Sequence, residues 1–121
     1  MAWRFAGRAE EQIDEVVLAS ARKWGIEAAA RYNRLIFAAI AALGEAPALP
    51  GSRPLPEFDS VRSLHLRSAR HLVAREHRVG EPRHLIVYRV ALDGTVEVLG
   101  LVHDRQQLSR AARRAHRDAG G

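Results

Sequence analysis

Apolar residues recur along this chain with two different periods, and the change between them divides it. Trp3 and Phe5 alternate with Ala2 and Arg4, the pattern of a short strand. Ile13, Val16, Val17, Ser20 and Trp24 then fall at helical spacing, which predicts a helix from about Arg8 to Trp24. Gly7 is placed to cap its start. Glu10, Glu11, Asp14 and Glu15 put negative charge near the positive end of its dipole, and Gly25 is placed to end it. A second apolar stripe, Tyr32, Leu35, Ile36, Ala39, Ile40 and Leu43, predicts a helix from about Glu27 to Leu43, with Gly44 as its C-cap. Two helices joined by so short a turn must fold back as an antiparallel hairpin.

Pro47, Pro50, Gly51, Pro54 and Pro56 follow as a stiff loop with neither helix nor strand signal. Beyond it the period becomes two. Val61 to Arg67 alternates, with Leu64 and Leu66 on one face. Leu85 to Val90 is nearly continuous apolar, as a central strand is, and Thr95 to Val102 returns. Asp93-Gly94 between them predicts a two-residue hairpin turn that pairs Leu92 with Thr95. That register sets Tyr88 against Leu99 and Ile86 against Leu101. It sets Leu85, Val87 and Arg89 against Val102, Gly100 and Val98 on the other face. Both faces are then largely apolar. The helix hairpin covers only one, so a C-terminal helix, a second chain, or both must cover the other. A last helix, about Asp104 to Arg117, presents Leu108, Ala111, Ala112 and Ala115, and Ala119-Gly-Gly reads as a flexible tail over 119–121. The expectation is one α+β domain over 1–118. It comprises a strand, a helix hairpin packed on a mainly antiparallel four-stranded sheet, and a C-terminal helix.

Composition narrows the chemistry. The chain has 121 residues and 47% hydrophobic positions, enough for a single buried core. Without cysteine it has no disulfide framework, thiolate metal site or cysteine nucleophile. The start lacks the apolar region of a signal peptide, and the longest apolar run, Leu35 to Leu43, is too short to span a bilayer. No membrane partner and a cytoplasmic location are the expectations. The net charge of +5 is uneven: residues 61–121 hold 12 arginines against 6 acidic side chains, whereas residues 1–60 hold 7 basic against 8 acidic. Such an excess suits an anionic partner, nucleic acid or an acidic protein segment, and equally a solvated arginine-rich surface. The six histidines, His65, His71, His77, His84, His103 and His116, show no zinc-ligand spacing, and no cofactor motif is present.

Four segments in order resemble the ParE/RelE toxin superfamily of type II toxin–antitoxin systems, closer to its ParE branch. Arg8-Ala-Glu-Glu-Gln-Ile-Asp-Glu-Val resembles the family's first helix and Trp24-Gly-Ile-Glu-Ala-Ala-Ala-Arg-Tyr its helix junction. His84-Leu-Ile-Val-Tyr-Arg-Val resembles the central strand, and Val96 to Arg105 the last strand and its exit. The likeness runs from about Trp3 to Arg110. It departs at Ser68 to Arg83, a basic insert where the family turns tightly.

The resemblance implies a RelE-like fold and a toxin held in a hetero-oligomer by a cognate antitoxin. As a ParE-like toxin it would have no hydrolytic site of its own and would stop growth through DNA gyrase. The alternative is a metal-independent endoribonuclease of the RelE type, acting on ribosome-bound mRNA. Such members use two lysines on the second strand, an arginine opening the third, and a basic residue after the last. Here the matching positions are Ser63, His65, Leu85 and Arg105, so two of the four carry no cation. Arg67, Arg89 and His103 are the substitutes, which with Arg105 make the weak catalytic candidates. Arg67, Arg89, His103, Asp104 and Arg105 are the candidate partner contacts. Arg89 reads more readily as an ion pair with an antitoxin carboxylate or with Glu97 or Asp104 of its own chain, and His103 as a cap of the following helix or an anchor for its turn. A third reading is a non-toxic basic nucleic-acid-binding or adaptor domain. Ser63, His65 and Arg67 offer it no stacking platform.

Overall fold

A computed structural model describes residues 2–120. The elements run β1 (Trp3–Phe5), α1 (Ala9–Trp24), α2 (Ile26–Glu45), β2 (Ser52–Pro54), β3 (Val61–His65), β4 (His84–Val90), β5 (Val96–His103) and α3 (Leu108–Asp118). Two short 3-10 helices, Leu66–Leu72 and Arg75–His77, occupy the insert between β3 and β4. The sheet order is β1-β5-β4-β3-β2; β1 runs parallel to β5 and every other pair is antiparallel. The α+β class and order of elements are as the sequence predicts, with a fifth strand added.

That strand, β2, lies inside the proline-rich segment expected to be a loop. Ser52 pairs with Leu64 and Pro54 with Arg62. Proline is tolerated because β2 is an edge strand and its missing N–H can face away from the sheet. The side chains also hold it: the Ser52 hydroxyl bonds the Tyr88 hydroxyl and accepts from Arg62 Nε at 2.8 Å.

Gly25 alone joins the two long helices. With φ of 98° its N–H closes α1 on Ala21 O, and its carbonyl accepts the Ala29 N–H that opens α2. Gly44 is not the C-cap expected of it. Helix α2 continues through it to Glu45, and Gly44 is the bare spot on which Trp3 rests, 3.3 Å from where a Cβ would stand. Arg8, not Gly7, holds the N-cap position of α1.

The β4–β5 hairpin is tied by a three-residue loop, Leu92-Asp93-Gly94, rather than a two-residue turn. Ala91 N donates to Thr95 O, Gly94 N donates to Ala91 O, and Gly94 sits at φ 86°. Near the loop the register is therefore one residue off expectation: Arg89 faces Glu97 and Tyr88 faces Val98. A bulge then restores it, so Val87 faces Gly100, Ile86 faces Leu101 and Leu85 faces Val102 as predicted. Val98 consequently turns to the helix-hairpin side instead of the far side.

Two cores result. Ile13, Leu35, Ile36, Ile40 and Leu43 of the hairpin pack on Leu64, Ile86, Tyr88, Val96 and Val98; Leu66, just past β3, and Ala69 and Val73 of the insert join this core. On the other face α3 lays Ala111, Ala112 and Ala115 over Val87, Leu99 and Val102, with Leu55 and Val61 alongside. The far face is thus covered within the chain. Ala119 N–H closes the last turn of α3 on Ala115 O, and Gly7 lies against the Ala119 backbone; Gly121 lies outside the described residues.

Candidate functional site

The end of β3, the start of β4 and the exit of β5 meet at one corner of the sheet, since His65 pairs with Leu85 and His84 with His103. The ladder continues one step beyond, Asp104 N–H donating to Arg83 O at 2.8 Å. Period-two alternation and this register bring His65, Arg83, His84, His103 and Asp104 together from three strands.

Asp104 is the hub. It accepts from His65 Nε2 at 3.1 Å and from Arg83 Nε and Nη2 at 3.1–3.2 Å. The His65 hydrogen bond and the Arg83 guanidinium hold its carboxyl at about 2, against an ordinary 3.8. The hydrogen-bond pattern assigns the His65 tautomer: Nδ1 accepts the Arg67 N–H at 3.1 Å, so the proton sits on Nε2, facing Asp104. Both ring nitrogens are therefore engaged, and His65, only 8% exposed, has none left for proton transfer.

Beside this pair stand Tyr32 and two more histidines. The Tyr32 hydroxyl accepts the Arg83 N–H at 3.2 Å and donates to His84 Nδ1 at 2.5 Å. Burial, which also raises the Tyr32 hydroxyl, pushes His84 down to about 4, helped by His103, whose ring lies edge-on at 5.1 Å. His84 is thus neutral near pH 7 and supplies no cation. His103 anchors the exit turn. Its Nδ1 accepts the Arg105 N–H at 3.0 Å and its N–H donates to Gln106 Oε1 at 2.9 Å. Because that Nδ1 lone pair is taken, the 3.5 Å approach to Asp104 Oδ1 is no ion pair of the neutral ring. Its Nε2, on a side chain 38% exposed, has no acceptor or donor among the described residues, as is also true of Nε2 on the half-buried His84 ring.

Arg67 and Arg105 flank this corner and are exposed. Arg67, Arg70 and Arg83 line a shallow cleft with Glu81 and Asp104. Arg89 is not part of the cluster. It lies five residues further along β4, roughly 17 Å at strand rise, and donates from Nε to Glu97 Oε1 at 2.6 Å. Glu97 also takes Arg4 at 2.9 Å, and the Arg89 hydrogen bond first, then Arg4, holds its carboxyl below the usual range. Of the five candidates the structure gathers Arg67, His103, Asp104 and Arg105 and sets Arg89 apart. Sequence reasoning left out Arg83, His84 and Tyr32. The hairpin register already placed His84 opposite His103, but nothing in the sequence brings α2 and its Tyr32 to that corner.

Ser63 is buried and Leu85 apolar, so neither presents a cation on this face. Among the described residues no three His, Asp or Glu side chains converge as a metal site, and no helix is long and apolar enough to cross a membrane.

No curated protein matches the chain. Among solved structures it is similar to a chain of the "Chromosomal ParDE TA system from P. aeruginosa", with a TM-score of 0.63 at 16% identity, covering 85% of this chain and 95% of that one. At that identity the likeness speaks for the fold. The family model described as the ParE toxin of the type II toxin–antitoxin system parDE matches residues 3–108. The chain therefore belongs to the ParE toxin family of type II toxin–antitoxin systems.

Proposed function

We propose that this protein is a ParE-like toxin that acts in the cytoplasm, arrests growth through DNA gyrase and is neutralised by a cognate antitoxin. The observation that carries the choice of target is the missing ribonuclease constellation. Ser63 and Leu85 bring no charge, His65 has both nitrogens occupied, and His84 is neutral. A metal-free cleavage of RNA needs a base, an acid and cations on one phosphate. Antitoxin binding is supported by exposed apolar side chains on the helix hairpin, with Trp24 69% and Ile26 82% exposed at its tip, and Leu18 on α1. A groove between α1, β5 and α3, lined by Gln12, Val16, Leu101 and Ala111, is a second surface for it.

One observation favours the ribonuclease reading: the Nε2 of His103 is open, and Arg67 and Arg105 at the same corner are exposed and free to hold a phosphate. Inducible expression of the chain in a bacterial host separates the two. Growth arrest with gyrase-type DNA breaks and translation initially intact is the expected result. Immediate loss of translation with cleaved mRNA, abolished by His103→Gln, assigns it to the ribonuclease class. Undisturbed growth with soluble protein present removes toxicity and leaves an adaptor. Arg105→Ala is expected to weaken arrest, with Arg89→Ala acting less because Glu97 already holds that side chain.

A further inference from the structure

Helix α3 is divided lengthwise into two chemistries. Ala111, Ala112 and Ala115 are buried on the sheet, whereas Arg110, Arg113, Arg114 and Arg117 stand outward and exposed. These four are spaced i, i+3, i+4 and i+7, so they form one row about 10 Å long on a single helix face. Arg113 approaches Glu57 at 3.8 Å, and Glu57 also takes the Ser109 hydroxyl at 2.9 Å. Arg110, Arg114 and Arg117 have no acceptor among the described residues. Asp118 is the one acidic residue of the helix, at its C-terminal end.

We infer that this arginine row is a docking strip for the phosphate backbone of duplex nucleic acid. The inference goes beyond the toxin reading and does not rest on it. A like-charged row on an isolated helix is unfavourable by itself, and the alanine face holds it by packing on Val87, Leu99 and Val102 of the sheet. Guanidinium groups fork onto phosphate oxygens in pairs. An acidic polypeptide would also be attracted. However, interfacial arginines of protein complexes work beside aromatic or apolar anchors in a desolvated centre, and α3 exposes no apolar side chain. Nor does it expose an aromatic ring on which a base would stack. A row of guanidinium groups on phosphates gives binding that is independent of sequence and steep in salt.

The test is fluorescence anisotropy of the full-length protein with a labelled duplex DNA of random sequence, repeated between about 50 and 200 mM salt. The comparison is Arg110→Gln/Arg114→Gln/Arg117→Gln against a control that removes the same charge elsewhere, Arg22→Gln/Arg34→Gln/Arg53→Gln. All six positions are exposed, and circular dichroism confirms folding. Each phosphate contact contributes about 0.9 to the slope of log K against log salt, so the α3 variant should lose roughly 2.7 and the control less than one contact's worth. Equal losses in the two variants mean that net charge alone attracts DNA, and the strip is refuted. Absence of binding at the lowest salt also refutes it. Displacement of the duplex by poly-glutamate at lower charge concentration than by unlabelled DNA reassigns the row to an acidic protein partner.

Discussion

His65 donates from Nε2 to Asp104 Oδ2 at 3.1 Å while its Nδ1 accepts the amide of Arg67, so one imidazole fixes both the exit of β5 and the start of the insert. The ring acts as a bracket between segments 39 residues apart. The same acid binds Arg83 at the insert's other end, so Asp104 and His65 together close the two stems of the segment between β3 and β4.

This arrangement makes stability depend on acid in a defined window. Asp104 titrates at about 2 when folded, below its ordinary 3.8. A depressed carboxyl stabilises the fold above the higher value, and that contribution is lost as pH falls through the lower one. Urea midpoints of the wild type and Asp104→Asn are therefore expected to differ at pH 6 and to converge between about pH 4 and 2. Curves that stay parallel through that window would show that the ion pair adds nothing to folding.

His84 has the opposite character. Its folded value is lowered from 6.5 to about 4, so between those values the unfolded chain binds a proton that the folded chain refuses. Stability should fall as pH is lowered from about 6.5 to 4 and should gain nothing from His84 above that range. The ring resonances of His84 are expected to titrate near 4 by NMR, and partly upward from there in His103→Gln, because burial is the larger cause and remains. A midpoint near 6.5 in the wild type would mean that the corner is wet.

Gly100 is required by the hydrogen bond of its neighbour Leu101. A Cβ there would stand 2.8 Å from Gln12 Oε1, the atom that accepts the Leu101 N–H at 3.0 Å where β5 runs past the end of β1. Gly100→Ala should displace Gln12 and strand that amide, costing about 1–3 kcal/mol. Gln12→Ala should cost a similar amount, and the double variant little more than either, since both remove one interaction. Additive losses in denaturant unfolding would place the cost of Gly100→Ala elsewhere.

Small residues set how closely α3 sits on the sheet. Ala112 is fully buried and Ala115 lies 3.3 Å from the position of a Gly100 Cβ. Ala112→Leu is expected to overpack this layer and destabilise by about 1–3 kcal/mol. Faster amide hydrogen exchange confined to α3 would locate the damage there; uniform exchange across the chain would show that α3 unfolds only with the whole domain.

The order of elements, the helix hairpin and the central strands were legible in the sequence because each rests on local periodicity, which a chain carries residue by residue. The empty ribonuclease positions Ser63 and Leu85 were legible for the same reason. Several features depend on segments distant in sequence. Strand β2 exists because Leu64 and Arg62 offer a free edge to a proline-rich segment that has no strand signal of its own. Gly44 stays helical because Trp3 needs its missing side chain, not because a helix ends there. The hairpin loop and the Leu99 bulge cancel in register, so the far end of the pairing agrees with the sequence although the turn does not; near the loop Val98 changes face, and Arg89 meets Glu97, the ion-pair partner the sequence offers. Whether Arg89 is free or paired depended on that single-residue shift, which sets it against Glu97. The polar corner depended on more still: register joined His84 to His103, but only the packing of α2 on the sheet brought Tyr32, and only the path of the insert brought Arg83. Sequence alone determined which residues alternate and which spiral; tertiary packing decided which charges meet, because an ion pair is fixed by distance in space and leaves no period along the chain.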